Sequence, residues 1–244
     1  MEPGQPAGDG RSGGDTATRL SLPLFTIECA PPFLTARFFK AQRTLGWSVL
    51  HPAFATVREV VWIEVRWAEI DGVDIVAFTK ARLAALGQPY ALAFLTSRDI
   101  ERHHRKRRLV DGVAATCLTT VGLSNGERIG SRRQAKAAPG TINTLVHVSR
   151  SLTDGALVEA VSIVAEARTA AILEARSARA APAITGTGTD CIVVACPLDG
   201  EPTPWAGLHT AVGEAIGGAV YEATREGVEV WDRETSDKND TPVK

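Results

Sequence analysis

The sequence predicts one α/β domain in which a mixed β-sheet packs against helices as a sandwich, with an α+β arrangement as the alternative. Segments rich in β-branched and aromatic residues alternate with segments that place apolar residues at helical spacing. No internal repeat and no long linker divides the chain. Residues 19–231 are therefore predicted to fold as a single domain. Residues 1–18 and 232–244 consist mostly of small, polar or charged residues and are predicted to be flexible tails.

The first half of this domain predicts several strands and one β-α-β unit. Val61, Ile63 and Val65 alternate with larger or charged residues, which is the period of a β-strand. The predicted helix ends at Gly87, with Pro89 just beyond it, a combination that commonly terminates helices. The predicted strands are residues 22–29, 45–50, 60–67 and 90–95, and the predicted helix is residues 71–86.

The second half repeats the alternation of strands and helices. Turn residues Ser124-Asn125-Gly126 and Pro139-Gly140 separate two predicted strands. A continuous apolar run at residues 191–196 is typical of a strand that is buried on both faces. The predicted strands are residues 112–121, 141–148 and 191–196, and the predicted helices are residues 153–175 and 206–226.

The composition excludes several classes of protein. Lys and Arg number 27 against 28 Asp and Glu, so the chain as a whole is not a basic nucleic-acid binder. No apolar run is long enough to cross a bilayer, and residues 1–18 have no apolar stretch typical of a signal peptide. The four cysteines form no C-x-x-C pair, which favours free thiols over a zinc site. We therefore expect a cytoplasmic protein that binds neither nucleic acid nor membrane.

The densest charge cluster of the chain is the segment at residues 102–108, with five cations and two histidines. Because the net charge of the chain is only −1, we interpret this segment as a solvated helix face or an exposed turn. The alternative is a docking site for an anionic group on a ligand.

Three further patterns carry candidate functional groups, each with a structural alternative. Residues 186–190 (GTGTD) precede a strand and lack a Walker-type lysine, so they form either a tight turn or a site, but not a nucleotide loop. On the helix at residues 153–175, Glu166 shares a face with two small polar residues and is either a general base or solvent-exposed. His209, Gly213 and Gly217 recur every four residues, which predicts a groove beside an imidazole or close helix packing.

Five segments in this order resemble the adenosylcobinamide amidohydrolase family of corrinoid salvage. They are residues 120–125 (TVGLSN), 139–144 (PGTINT), 165–171 (AEARTAA), 185–190 (TGTGTD) and 209–217 (HTAVGEAIG). Residues 95–98 (LTSR) match the family only in part. Residues 46–54 lack the paired glycines common in the family. If those glycines approach the substrate in relatives, Pro52 and Phe54 would reshape that wall of the site.

The resemblance implies hydrolysis of the amide that joins the aminopropanol arm to the corrin ring of adenosylcobinamide, giving adenosylcobyric acid. The partner would be a corrinoid small molecule, and the cobalt would belong to that substrate, so no protein-bound metal or cofactor is expected. Whether the chain forms a homo-oligomer stays open. The alternatives are a corrinoid carrier or sensor without hydrolysis, and a remodelling hydrolase that acts on a complete cobamide.

The resemblance also implies candidate site residues. Glu166 or His209 would act as general base, and Asp190 would orient it. A Thr or Ser nucleophile, Thr141 or Ser124, is the competing mechanism. The predicted substrate-binding residues are Ser124, Asn125, Thr141, Asn143, Thr169, Thr187, Gly188, Thr189 and Gly213.

Overall fold

The computed structural model describes residues 24–131, 140–178 and 183–239, and it has the predicted mixed α/β architecture. The strands are β1 Phe25–Ala30, β2 Phe33–Gly46, β3 Ala53–Glu64, β4 Leu92–Thr96, β5 His103–Val110, β6 Val113–Val121, β7 Gly126–Glu127, β8 Ile142–Val148, β9 Gly186–Thr187 and β10 Cys191–Pro197. The helices are α1 Trp67–Ile70, α2 Ile75–Ala85, α3 Asp154–Ala175 and α4 Ala211–Asn239, and a 3₁₀ turn spans Ile100–Arg102.

Eight of the strands form one mixed sheet. Its order is β4-β3-β2-β10-β8-β6-β5, and β1 pairs with β2 off this path. The pairs β3–β4 and β8–β10 are parallel, whereas the other neighbours are antiparallel. The short strands β7 and β9 form a separate antiparallel ladder. This mixed sheet was predicted from the alternation of apolar runs and helical segments.

The central strands β6, β8 and β10 are buried on both faces. The apolar run at residues 191–196 predicted this for β10. Val146 and Val194 pack with residues of α3 and α4, whereas Leu145 and Val193 point to the other face. There they meet Trp62 and other residues of the β1–β4 part of the sheet. Because successive strand residues point to opposite faces, one strand set contributes to two cores.

The basic segment at residues 102–108 is mainly the edge strand β5, not a helix or a turn as the sequence analysis expected. Strand β5 pairs along its length with β6, and its His104 is buried against α4. Lys106 pairs with Glu226 and Arg108 with Glu222, both on α4. Alternate cations of the strand therefore meet carboxylates of the helix. Charged side chains on an edge strand also hinder unwanted pairing with another chain.

Several element boundaries differ from the sequence prediction. Strand β2 is far longer than the predicted strand at residues 45–50 and ends at Gly46, because β3 starting at Ala53 pairs with it as a long hairpin. Helix α2 begins at Ile75, not at residue 71, because the side chain of Asp74 caps its first turn. No helix in the described part of the chain is long and apolar enough to cross a membrane.

The last helix is displaced toward the C-terminus relative to the prediction. Helix α4 begins at Ala211 rather than at residue 206, and it continues to Asn239, through a segment that the sequence predicted to be a tail. Within that segment, Glu234 accepts a hydrogen bond of 2.6 Å from the buried guanidinium of Arg98 and also pairs with Arg102. These ion pairs attach the polar C-terminal end of α4 to the segment between β4 and β5. Residues 1–18 and 240–244 lie outside the described residues.

A buried histidine lies in the core between β8 and β2. His147 is 3% exposed, its Nε2 is 2.8 Å from Oε1 of Gln42, and its ring centroid is 5.3 Å from that of Phe38. Burial lowers the pKa of His147 to about 3. Because the unfolded chain binds a proton at this side chain below a pH of about 6.5 and the folded chain does not, acid favours unfolding in this range.

We predict that the resonances of His147 do not titrate between pH 7.5 and 5 in NMR spectra of the folded protein. The free energy of unfolding should fall by about 2 kcal/mol more between pH 6.5 and 5 in the wild type than in His147→Gln, measured by denaturant unfolding. Neutral His147 contributes its full stabilisation above the unfolded-state pKa of about 6.5. This stabilisation is lost as the pH falls toward the folded-state pKa of about 3. A folded-state titration midpoint above pH 5.5 would contradict the prediction.

Candidate active site

A cavity of about 290 Å³ opens where β3, β4 and β6 end and where β8 and β10 begin. One wall is apolar and comes from the loop after β2, the end of β4 and helices α1 and α2. Its residues are Val49, Val65, Trp67, Ile70, Ile75 and Leu95. The other lining residues supply hydroxyl, amide and thiol groups. They are Thr96, Ser97, Asn125, Gly140, Thr141, Thr189 and Cys191.

Three of the predicted substrate-binding residues, Asn125, Thr141 and Thr189, line this cavity, and we call them the polar rim. Thr141 Oγ1 donates a hydrogen bond of 2.7 Å to the carbonyl of Thr189, and Thr189 Oγ1 donates one of 3.2 Å to the carbonyl of Gly140. These reciprocal bonds join the start of β8 to the loop before β10. The loop TGTGTD and the segment PGTINT, far apart in sequence, therefore form one surface.

Asn125 is the polar-rim residue whose side chain is free among the described residues. Its backbone carbonyl accepts a hydrogen bond of 3.1 Å from the amide of Gly188, but its carboxamide bonds to no other described residue. Gly188 lies directly behind that carboxamide, because a Cβ added to Gly188 would lie 3.0 Å from Asn125 Nδ2. The glycine thus leaves space for an amide group that can donate to a ligand.

Asp190 directly follows the polar-rim residue Thr189 and accepts several hydrogen bonds. Oδ1 accepts from the amide of Ile142 at 3.1 Å and from the hydroxyl of Thr187, and Oδ2 accepts from the amide of Thr187 at 2.9 Å. Arg168 Nη1 of α3 forms an ion pair with Oδ2 at 3.0 Å. The carbonyl of Asp190 accepts a 2.6 Å hydrogen bond from the indole of Trp47. Asp190 therefore connects β8, β9, α3 and the loop after β2.

Arg168 is a site-region residue that the sequence analysis did not single out. The signal was present, because the segment AEARTAA contains Arg168 beside Thr169, and the loop TGTGTD ends in a carboxylate without a sequence-local cation. Sequence reasoning selected Glu166 from the same segment, whereas the helix turns Arg168 toward the loop. Thr169 also faces the loop, since its Oγ1 donates to the carbonyl of Thr185 at 3.1 Å.

Two other predicted binding residues lie close to the cavity without lining it. Asn143 is fully buried, and its Nδ2 donates a hydrogen bond of 2.8 Å to the carbonyl of Leu95, which ties β8 to β4. Ser124 is exposed beside Asn125 and is not among the cavity-lining residues. Asn143 thus joins the strand that follows Thr141 to the end of β4 that lines the cavity, and Ser124 lies outside the cavity.

The structure does not bring Glu166 or His209 to the cavity. Glu166 lies on the solvent face of α3, where its carboxylate accepts a hydrogen bond of 3.0 Å from Ser162. His209 is exposed in the loop that follows β10, while the cavity lies at the start of that strand. Seven strand residues separate the two ends by about 20 Å. Gly213 lies on the same remote side, where its amide donates to Thr210 Oγ1 in the first turn of α4.

The loop after β2 shapes the cavity through different residues than the sequence suggested. Val49 lines the apolar wall, and Trp47 anchors the loop to Asp190. Pro52 and Phe54 do not line the cavity, and the Phe54 ring lies under the guanidinium of Arg43, 5.2 Å from its centroid. The expected reshaping by Pro52 and Phe54 is therefore not seen, because the ring packs along the β2–β3 hairpin.

Cys191 adds a thiol to the polar side of the cavity. Burial, with a smaller contribution from the charge of Asp190, raises the pKa of this thiol to about 11. Cys191 is therefore protonated at neutral pH and is a poor nucleophile. Among the described residues that line the cavity, the polar groups are hydroxyls, a carboxamide and this thiol, with no carboxylate or imidazole. Residues 24–131, 140–178 and 183–239 also contain no cluster of three or more metal-ligating His, Cys, Asp or Glu side chains.

Comparisons with known proteins agree with the motif resemblance. The model of the adenosylcobinamide amidohydrolase family matches residues 21–236. An adenosylcobinamide amidohydrolase of Halobacterium salinarum is 34% identical over 164 residues, which cover 64% of this chain and 68% of that protein. The uncharacterized protein MJ1613 of Methanocaldococcus jannaschii is 40% identical over 91 residues, or 36% of this chain and 35% of that protein.

Among solved structures, the PH0078 protein of Pyrococcus horikoshii matches with a TM-score of 0.40 and 10% sequence identity, covering 80% of this chain and 76% of that chain.

The family match extends over nearly all described residues and includes every segment that forms the polar rim. The chain therefore belongs to the adenosylcobinamide amidohydrolase family and is a hydrolase that acts on an amide bond.

Proposed function

We propose that this protein hydrolyses the amide between the aminopropanol arm and the corrin ring of adenosylcobinamide, and that it releases aminopropanol and adenosylcobyric acid. Family membership supports the reaction class. The observation that carries the proposal is the cavity that three motif residues, Asn125, Thr141 and Thr189, line together with apolar side chains. A few directed polar groups opposite an apolar surface are typical of small-molecule sites.

The dimensions of the cavity suggest which part of the substrate enters it. A volume of about 290 Å³ accommodates an amide with a three-carbon arm, whereas the corrin macrocycle is too large for it. We propose that the arm enters and that the ring remains at the mouth. The methyl group of the arm would then contact apolar residues such as Ile70 and Ile75, and the amide would face the polar rim.

Asn125 is the proposed donor to the amide oxygen. Its carboxamide has no hydrogen-bond partner among the described residues, so its N–H groups are available to the substrate. A donor of this kind stabilises the negative charge that develops on the carbonyl oxygen when a nucleophile adds to the amide carbon. The backbone contact with Gly188 holds Asn125 in place for this role.

Thr141 is the proposed nucleophile. It lines the cavity, whereas Ser124, the other candidate hydroxyl, does not. Its oxygen would add to the amide carbon, the carbon–nitrogen bond would break, and the hydroxyl proton would leave on the amine of aminopropanol. Water would then hydrolyse the ester, restoring the Thr141 hydroxyl and releasing the carboxylic acid. The competing mechanism, with water activated by Glu166 or His209, stays a prediction.

We also propose that the reaction needs no resident metal or cofactor and that the cobalt is carried only by the substrate. The proposed steps use an amide donor, a hydroxyl and water. The balance of atoms is complete with these groups.

We predict that the purified protein releases aminopropanol from adenosylcobinamide, measured by mass spectrometry. Tight binding without release would support the corrinoid carrier or sensor instead. Release of the nucleotide-bearing arm from a complete cobamide, at a higher kcat/KM than aminopropanol from adenosylcobinamide, would support the remodelling hydrolase. Both results would contradict the proposed substrate.

We predict that Thr141→Val lowers kcat on the order of 10³-fold or more, because it replaces the hydroxyl by a methyl group of similar size. Thr141→Ser retains a hydroxyl and should stay within about tenfold of the wild type. The same aminopropanol assay measures both, and circular dichroism checks that both variants fold.

Three further variants separate the mechanisms. Ser124→Ala is the matched hydroxyl control and should keep kcat within about threefold. Glu166→Gln and His209→Ala should also keep it, because neither side chain reaches the cavity. A loss of about 100-fold in either of these two, with turnover retained in Thr141→Val, would overturn the Thr141 mechanism in favour of a general base.

We predict that dialysis against a chelator, followed by assay in metal-free buffer, leaves kcat unchanged. The cobalt of adenosylcobinamide is held within the corrin ring and is not removed by this treatment. Inactivation by the chelator, with recovery when a divalent cation is added back, would show that the protein holds a metal of its own.

A further inference from the structure

We propose that Arg168 is a positioning residue of this site: through its ion pair with Asp190 it holds Thr141 and Thr189 in the geometry that hydrolysis requires. The inference deepens the proposed function and rests on it for the identity of the substrate. Arg168 does not line the cavity, and its ion pair is with Asp190, so its action on the polar rim passes through Asp190.

The carboxylate of Asp190 is already engaged by donors. Both of its oxygens accept from Thr187, one also accepts from the amide of Ile142, and the other pairs with Arg168. Its side chain is 8% exposed. A carboxylate with its oxygens committed in this way is poorly placed to take a proton from water. Asp190 therefore organises the backbone around it and contacts neither Glu166 nor His209, the bases that the sequence expected it to orient.

The residues next to these contacts are the polar rim itself. Ile142, whose amide donates to Asp190, directly follows Thr141, and Thr189 directly precedes Asp190. The bond from Thr141 to the Thr189 carbonyl lies between these two anchor points. A shift of Asp190 would therefore move both partners of that bond.

In the described part of the chain, Arg168 is the cation that forms an ion pair with Asp190. Its side chain is 12% exposed, and a buried carboxylate that loses its only cation is strongly destabilised. The space around the pair is built for this contact, since a Cβ added to Gly186 would lie 2.6 Å from Asp190 Oδ2 and 3.5 Å from Arg168 Nη2. The adjacent bond from Thr169 to the Thr185 carbonyl holds the same loop against α3.

The first test compares kcat and KM in the aminopropanol assay. Arg168→Met removes the charge and keeps much of the side-chain length, and it should lower kcat by about 30-fold or more while KM changes by less than about threefold. Arg168→Lys restores a cation and should recover kcat to within about fivefold of the wild type. The double variant Arg168→Met with Asp190→Asn should be no slower than Arg168→Met alone, because the two residues act as one unit.

The second test needs no enzymatic activity, so it separates this inference from the proposed function. Cys191 lines the cavity and follows Asp190, whereas Cys29 is exposed and lies on β1. The alkylation rate of each thiol is followed by peptide mass spectrometry with a maleimide. Arg168→Met should raise the rate at Cys191 by about tenfold relative to Cys29, because a loosened loop exposes the thiol.

Arg176→Met is the matched control. Arg176 caps the C-terminal end of α3 and forms an ion pair of 3.4 Å with Asp232, with side chains 21% and 12% exposed, but neither residue lines the cavity. This variant should change thermal stability without changing kcat or the labelling ratio of Cys191 to Cys29. Arg168→Lys serves as the folded comparison if Arg168→Met does not fold.

The inference is overturned if Arg168→Met keeps kcat and the Cys191 labelling ratio within twofold of the wild type. It is also overturned if Arg176→Met changes both quantities as much as Arg168→Met does, because the effect would then be general destabilisation. If the wild type shows no hydrolysis but Arg168→Met still raises the labelling ratio, the proposed substrate fails and the positioning role stands.

Discussion

The site depends on the carboxylate of Asp190, which lies at the start of β10 and is held almost out of contact with water. A buried charge is stable only when it is paired and hydrogen-bonded. Here the pairing group, Arg168, comes from a helix, and the hydrogen bonds come from β8 and from the loop before β10. Satisfying one buried carboxylate thus brings three distant parts of the chain into a single arrangement. Thr141 and Thr189 of the polar rim directly precede two residues of this arrangement, Ile142 and Asp190.

The architecture of the sheet explains why the cavity lies where it does. Strands β8 and β10 are parallel neighbours, so both begin at the same edge, and the antiparallel strand β6 ends there. Strand β4, at one end of the strand order, also comes close to β8 at this edge. There, Nδ2 of Asn143 on β8 donates a hydrogen bond to the carbonyl of Leu95 on β4. Loops from both parts of the sheet therefore meet at one edge. Residues of α1 and α2 line the same cavity as the polar rim.

The balanced composition of the chain conceals a local separation of charge. Strand β5 carries a run of cations, and α4 presents carboxylates opposite alternate members of that run. The same principle extends to the end of α4, where Glu234 binds Arg98. A long polar helix end that has no apolar stripe of its own is thus fixed by ion pairs with the neighbouring strand and loop. This explains why charge density alone did not distinguish an exposed segment from a paired one.

The sequence by itself determined the mixed α/β class, the buried strand β10 and the family, because these follow from local periodicity and from short motifs in a fixed order. It also named Asn125, Thr141 and Thr189, which line the cavity, as candidate substrate-binding residues. It could not determine which motifs share a site. Glu166 and Arg168 lie two residues apart on one helix, yet only Arg168 turns toward Asp190, since successive helix residues point in different directions. His209 belongs to a motif of the same family resemblance but lies beyond the far end of β10. Only the tertiary structure decided these cases. The buried carboxylate of Asp190 pairs with a cation that is remote in sequence, and the length of β10 separates His209 from the cavity.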